Sequence, residues 1–391
     1  WMADHDKAAI DVEDTRRLEV RYALAALYYA TNGNNWIHNL GFLSPEHECE
    51  WFVEKELEDN TTVVDGVLCD EEDQVVGIKL DGNGLLGSMS PEQKALSSLR
   101  LLNLASNRNK VSGVSIPGLV ASDTFGVIAE IGGGLTSLIL SDNVFGSTIP
   151  TVLGTLSNLQ TLYLDQNQFT GTLPRLLSRL SNLEELNLYD NRLNGAIEDV
   201  VENLLNLTRL RADDNDFSIS PQLRFPPSLE FLRLDRNQFD GSPLTSSIGR
   251  LSQLEALSLS RMNIVGSLPT ELGMITNLEV LDLSSNQLGG NFPWSAVNAT
   301  ALRRLSISAC DLTGQLPSDI GRFSSMEFLD VSRNFLGGSI PESIGNMTSL
   351  VQFAAHSNFL IGPIPSTIGQ LTSLQQLSLD SNELTGSLPN E

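Results

Sequence analysis

The sequence predicts an α/β repeat solenoid, in which short parallel strands stack turn upon turn behind a helical N-terminal cap. Three observations carry that expectation. First, a unit of about 24 residues recurs from near Val75 to the end of the chain. LQTLYLDQNQFTGTLPRLLSRLSN from Leu159 is followed directly by LEELNLYDNRLNGAIEDVVENLLN from Leu183, and the pattern returns as LEVLDLSSNQLGGNFP from Leu278 and LQQLSLDSNELTGSLP from Leu374. Second, the first part of each unit alternates apolar and polar residues, as a short strand with one buried face requires. In this reading Leu183, Leu186 and Leu188 point inward, while Glu185, Asn187 and Tyr189 point outward. One turn cannot bury its own apolar side, so each leans on its neighbours.

Third, asparagine returns at one position of the frame in eleven of about thirteen turns: Asn83, Asn107, Asn143, Asn167, Asn191, Asn215, Asn237, Asn286, Asn334, Asn358 and Asn382. There the chain bends away from its strand and its backbone groups lose their sheet partners. A side-chain amide carries both donor and acceptor, so it satisfies them turn after turn. Met262 and Cys310 hold this position in the other two turns. Cysteine is a known alternative there, whereas methionine predicts a local irregularity.

The whole frame, L-x-x-L-x-L-x-x-N-x-L-x-G-x-[IL]-P, is that of a leucine-rich repeat. Its tail, at residues 171–174, 314–317 and 386–389, resembles the plant-type subfamily found in receptor kinases, receptor-like proteins and polygalacturonase inhibitors. The resemblance covers about four-fifths of the chain. It implies a second short strand in each turn, a right-handed superhelix with a pronounced twist, and a disulfide-bonded cap before the first repeat.

The cap is expected over residues 1–74 and the repeats over 75–391. Residues 11–31 read as a helix. Asp11, Glu13 and Asp14 favour its start, an apolar face runs through Leu18, Tyr22, Leu24 and Leu27, and Thr31, Asn32 and Gly33 end it. The NNW, CEW and DGVLC segments at 34–36, 49–51 and 65–69 match the family's cap. The resemblance therefore pairs Cys49 with Cys69 and sets Trp36 and Trp51 over the first turn as a lid. The gap between the two cysteines is longer than in the plant pattern, and RYALAALYYATNGNNW resembles caps in leucine-rich proteins of diatoms and related protists. Two interruptions break the rhythm. About twelve extra residues enter around 108–134, either as a loop with no partner or as an island lining a ligand pocket. The turn between Leu207 and Leu229 is short, and residues 218–227 replace its G-x-I-P tail.

The chain has 391 residues, of which 48 are acidic and 24 basic, giving a net charge of −24. That excess argues against nucleic acid and anionic membrane surfaces as partners. Acidity concentrates between Glu46 and Asp73, a stretch expected to be a solvated loop, and no EF-hand spacing there points to calcium. A Cys49–Cys69 bridge requires an oxidising compartment, and Cys310 reads as a buried free thiol. Sequons at Asn60, Asn206, Asn298 and Asn346 avoid the asparagine ladder and agree with a secreted or outward-facing protein. No signal peptide or membrane-spanning stretch is read in the chain. Trp1 as first residue, and an end at Glu391 straight after a complete repeat, lead to the expectation of a mature or trimmed chain. It would continue beyond Glu391, toward a stalk and membrane anchor.

Outward strand positions define a candidate binding face on the concave side. Most turns offer small groups there, such as Ser137, Ser258 and Ser306. Turns four to seven carry Tyr163, Asp165, Tyr189, Asp190, Arg209, Arg211, Asp213, Asp214, Phe231, Arg233, Asp235 and Arg236. Tyrosine and arginine dominate binding hot spots, and guanidinium forks fit carboxylates. The resemblance to plant peptide receptors implies that Arg209 and Arg211 receive a peptide's free carboxylate. The competing reading has these arginines neutralising Asp213, Asp214 and Asp235. A weaker patch is Phe328, Asp330, Arg333 and His356.

No nucleophile, metal or phosphate motif occurs, and a shallow open sheet does not exclude water, so a non-enzyme without cofactor or metal is expected. The expected function is the ligand-binding ectodomain of a cell-surface receptor or adhesion protein, monomeric when isolated. It takes a peptide or protein on the central repeats, with a co-receptor as a further partner. The rivals are a secreted inhibitor of a foreign hydrolase and a structural role, as a wall scaffold or an ice-binding surface.

Overall fold

A computed structural model describes residues 13–56, 62–111, 114–116, 121–297 and 300–389. The chain divides into two compact units, Trp1–Leu193 and Asn194–Glu391.

The first unit opens with helix α1, Thr15–Ala30, capped by the Asp14 carboxylate, which accepts the Arg17 amide at 3.1 Å. Residues 11 and 12 of the expected helix lie outside the described residues. The buried face differs from the expected one: Tyr22 is 43% exposed, and Arg21 is buried instead. The cause is a set of distant partners. Arg21 donates to the buried Glu48 carboxylate at 2.8 Å and to the Ser44 carbonyl at 2.5 Å, with its guanidinium 4.7 Å from the Trp51 ring centre. Arg17 donates to the same Glu48 at 3.0 Å. Trp36 and Trp51 are both buried and meet through Phe42, at 4.9 and 5.2 Å between ring centres.

Strands β1, Phe52–Glu56, and β2, Thr62–Cys69, pair antiparallel, as do β2 and β3, Val75–Lys79. The acidic stretch expected as a loop therefore carries two strands. Cys49 and Cys69 are disulfide-bonded, as the resemblance implied. The cap is held to the first turn by the buried Gln93, whose amide donates to the Ala23 carbonyl at 3.0 Å. Gly87 has φ +129, and a Cβ there would stand 2.1 Å from the Ala30 carbonyl oxygen, so a side chain has no room.

From β3 onward pairing is parallel, through β4, Leu101–Asn103, β5, Ser137–Ile139, β6, Thr161–Tyr163, and β7, Glu185–Asn187. Their central leucines, Leu102, Leu138, Leu162 and Leu186, align in register and are buried. The interruption near 108–134 carries secondary structure of its own. It forms an antiparallel pair, Asn109–Val111 with Val114–Ile116, and then helix α2, Ala121–Ile131. Phe125, Ile128 and Ile131 of α2 are buried, and Phe125 joins the buried Phe145 and Phe169 at 5.3 and 6.1 Å. The extra residues build core.

In the second unit eight strands pair parallel in sequence order: β8, Arg209–Arg211, β9, Phe231–Arg233, β10, Ala256–Ser258, β11, Val280–Asp282, β12, Arg304–Ser306, β13, Phe328–Asp330, β14, Gln352–Ala354, and β15, Gln376–Ser378. Short 3₁₀ turns such as Thr270–Met274 and Glu342–Asn346 return the chain between them. The second short strands implied by the plant-type tail are present, Asp216–Ile219 with Gln238–Phe239 and Ile361–Gly362 with Glu383–Leu384. The short turn at 218–227 is anchored by Glu198 of helix α3, Glu198–Val201, whose Oε1 accepts the Ser220 amide at 2.7 Å.

The asparagine ladder works as its chemistry predicts. Asn334 donates to the Ile307, Val331 and Ser332 carbonyls at 2.8, 3.0 and 3.1 Å, and its Oδ1 accepts the Cys310 and Leu312 amides, each at 3.0 Å. In the first unit Asn167 makes the same set to Leu140, Leu164 and Asp165. The residue before each of these asparagines is left-handed, with φ 53 at Gln166 and 55 at Arg333. At Met262 the following residue, Asn263, is left-handed too, with φ 58, which is the irregularity expected there. Cys310 shares it, with φ 57 at Asp311. The thiol, with its single hydrogen, replaces only part of the amide's reach: its sulfur lies 3.1 and 3.4 Å from the Leu283 and Ser308 carbonyl oxygens.

Candidate binding face

The first and third residues of each repeat strand lie on the sheet face that looks away from the leucine core. In the first unit the Tyr163 hydroxyl donates to the Glu185 carboxylate on the next strand. Asp165 is buried and accepts the Ser141 hydroxyl at 2.5 Å, so it belongs to the sheet's own bonding. Tyr189 is half-buried and Asp190 exposed.

In the second unit most of the expected arginines already hold aspartates. Arg211 lies 3.0 Å from Asp213, Arg233 3.6 Å from Asp235, and Arg236 2.7 Å from Asp214. Asp213 is buried, and burial pushes its carboxyl up in pKa against the opposing hydrogen bond from Arg211. Asp235 also accepts the Ser258 hydroxyl at 2.6 Å and the Ser260 amide at 2.7 Å. This is the surface network that competed with a carboxylate-receiving pair. Arg209 is different: it is exposed, and its guanidinium stands 5.2 Å from the Phe231 ring centre.

Register extends the face beyond these residues. Across β9 to β13 the first positions align as Phe231, Ala256, Val280, Arg304 and Phe328, and the third as Arg233, Ser258, Asp282, Ser306 and Asp330. Small groups in the middle and aromatic rings at both ends leave a cleft of about 210 Å³. The Arg304 guanidinium lies 4.8 Å from the Phe328 ring centre. Sequence reasoning placed Phe231 and Phe328 in separate patches and missed Val280, Asp282 and Arg304 between them. The signal was available in the first strand position read across consecutive turns. Arg333 and His356, grouped with Phe328 in the sequence, do not line this cleft.

Cys310 is buried and unbonded, and burial pushes its thiol up to about 11. Of the sequon asparagines, Asn206 and Asn346 are exposed, while Asn60 and Asn298 lie outside the described residues. Among the described residues no group of three or more histidine, cysteine or acidic side chains is arranged to hold a metal ion. No helix among them is long and apolar enough to cross a membrane.

Comparison with known proteins gives the class. One leucine rich repeat family model matches residues 133–193, and a second matches 277–298, 301–323 and 325–347. With the parallel strands and the ladder, this makes the chain a leucine-rich repeat solenoid. No curated protein sequence matches it. Solved structures similar to it include plant receptors. The Arabidopsis receptor kinase HAESA, in complex with the peptide hormone IDA and the co-receptor SERK1, is 27% identical with a TM-score of 0.76, over 96% of this chain and 59% of that one. PEPR1, in its structure with AtPEP1, is 28% identical with a TM-score of 0.72, over 95% of this chain and 49% of that one. The ectodomain of the Arabidopsis thaliana receptor kinase GASSHO1/SCHENGEN3, in complex with CASPARIAN STRIP INTEGRITY FACTOR 2, is 28% identical with a TM-score of 0.69, over 96% and 48%. The chain thus spans about half to three-fifths of the length of these relatives.

Proposed function

We propose that the chain is the ligand-binding part of an extracellular receptor or adhesion protein, and that it takes a peptide or protein on the open sheet face of its repeats. The observation that carries this reading is the match of almost the whole chain to receptor ectodomains, two of them crystallised with a peptide hormone or a named factor. Residues 1–74 act as the cap and 75–391 as the binding array. The Cys49–Cys69 bond and the exposed Asn206 and Asn346 sequons support an oxidising, outward-facing location at the cell surface or wall. No catalytic activity is part of this reading, and a co-receptor is a further partner.

In the second unit the contact residues are Arg209 and Phe231, with Arg211, Arg233 and Arg236 as supporting charge. In the first unit they are Tyr163, Tyr189 and Asp190. The test is capture. The immobilised chain meets secreted and surface fractions of its source organism beside an Arg209→Ala, Phe231→Ala variant, and retained molecules are identified by mass spectrometry. A peptide or protein held by the wild type and lost by the variant is the expected result. Retention of wall polysaccharide alone would favour a scaffold, and retention of a foreign hydrolase would favour an inhibitor.

A further inference from the structure

We infer that the cleft over Ala256 and Val280 seats one aliphatic side chain of an extended peptide, and that Arg304 reads a carboxylate one or two residues away from it. This inference rests on the peptide-binding reading above.

The two registered rows set the chemistry. One row is apolar in its centre, with Ala256 and Val280 between Phe231 on one side and Arg304 and Phe328 on the other. The other row is polar in its centre, with Ser258, Asp282 and Ser306. A peptide lying across the strands sends alternate side chains to opposite edges, so it meets one row with each set. From β9 to β13 there are four strand spacings of about 4.8 Å, a span that about six extended residues cover. A volume of about 210 Å³ is below the range of roughly 300–1,000 Å³ usual for whole small-molecule ligands, so the cleft suits a single side chain.

Arg304 supplies the charge. Among the described residues it forms no ion pair, in contrast to Arg211, Arg233 and Arg236, and its guanidinium rests against Phe328. A planar fork steadied by a ring is prepared for a two-pronged contact with a carboxylate. Asp282 lines the cleft and accepts the Ser284 amide at 2.9 Å through one oxygen. The chain's net charge of −24 opposes a strongly acidic ligand. The ligand that fits carries one carboxylate beside an apolar residue.

The test selects a random dodecapeptide display library on the intact chain, in parallel with Arg304→Gln and Ala256→Arg. Both substitutions point outward from the sheet, and circular dichroism melts check each variant's fold. The wild type is expected to enrich peptides with an aliphatic residue one or two places from an aspartate, a glutamate or a free C-terminus. A synthetic consensus peptide should bind Arg304→Gln about tenfold or more weakly, and should lose binding to Ala256→Arg. Amidating its acidic group should weaken binding to the wild type but not to Arg304→Gln, the coupling a direct contact requires. Peptides enriched without that residue pair, or bound equally well by Arg304→Gln, overturn the subsite and leave peptide binding intact. Enrichment of no peptide overturns both.

Discussion

Glu198 stands where other turns place a proline, as at Pro174 and Pro317. It is fully buried, one oxygen accepts the Ser220 amide, and Oε2 has no hydrogen-bond partner. Burial pushes its pKa up, against the hydrogen bond from Ser220 and the nearby Arg224. A carboxyl whose pKa is raised by folding binds its proton more tightly in the native state. Its stabilisation is complete below the ordinary glutamate range and is lost as pH rises through the raised value. Glu198→Gln should therefore gain thermal stability relative to the wild type on going from about pH 4 to pH 8, read as the difference in melting midpoints. A constant difference would mean that folding leaves the pKa of this carboxyl unchanged. Cys310 poses the opposite test of accessibility. With its thiol raised to about 11 and the side chain buried, it should resist iodoacetamide at neutral pH and react only in denaturant. Labelling of the native chain at the denatured rate would contradict this burial.

At the scale of the element, each turn is secured by its leucines and by one amide. The two N–H groups of Asn334 reach three carbonyls, one of them shared, and its oxygen accepts two amides. Asn334→Ala should cost at least about 2 kcal/mol in chemical denaturation, because it orphans buried backbone groups rather than removing an exchangeable surface bond. The cap depends on a buried ion pair instead. Arg21→Ala leaves Glu48 with the partly exposed Arg17 and His47 and should destabilise the cap by about 3–5 kcal/mol. Hydrogen exchange should locate that loss in α1, β1 and β2. A loss spread evenly over the repeats would separate the pair from the cap. The inserted helix α2 shows how a break in period becomes core: Phe125 reaches Phe145, so the insertion prolongs an aromatic stack.

For the molecule as a whole, the balance of 48 acidic and 24 basic residues sets long-range behaviour. Like charges repel across a folded surface more than in an expanded chain, and salt screens them within about 10 Å at 0.1 M. The melting midpoint should therefore rise from low to physiological ionic strength. A fall would show that ion pairs such as Arg211 with Asp213 outweigh the net repulsion. A repeat array also holds its stability locally, as a sum of turns and the interfaces between them. An outward substitution on the face, such as Arg304→Gln, should thus alter recognition without unfolding distant turns.

The sequence by itself determined the repeat, its strands and the asparagine ladder, because these depend on period and on position within one turn, while the disulfide pairing came from the family resemblance alone. Leu186 is buried for the reason it recurs, and Asn167 bonds as its place in the frame requires. Only the tertiary structure decided that Arg21 is inside and Tyr22 outside, that the insertion is a core helix, and which arginines are already paired. It also joined Phe231 and Phe328 across Ala256 and Val280 into one cleft. Most of these outcomes turn on partners about one turn or more away in the chain, as Arg21 does with Glu48 and Arg236 with Asp214. Lateral register between strands, rather than spacing along one strand, chooses those partners.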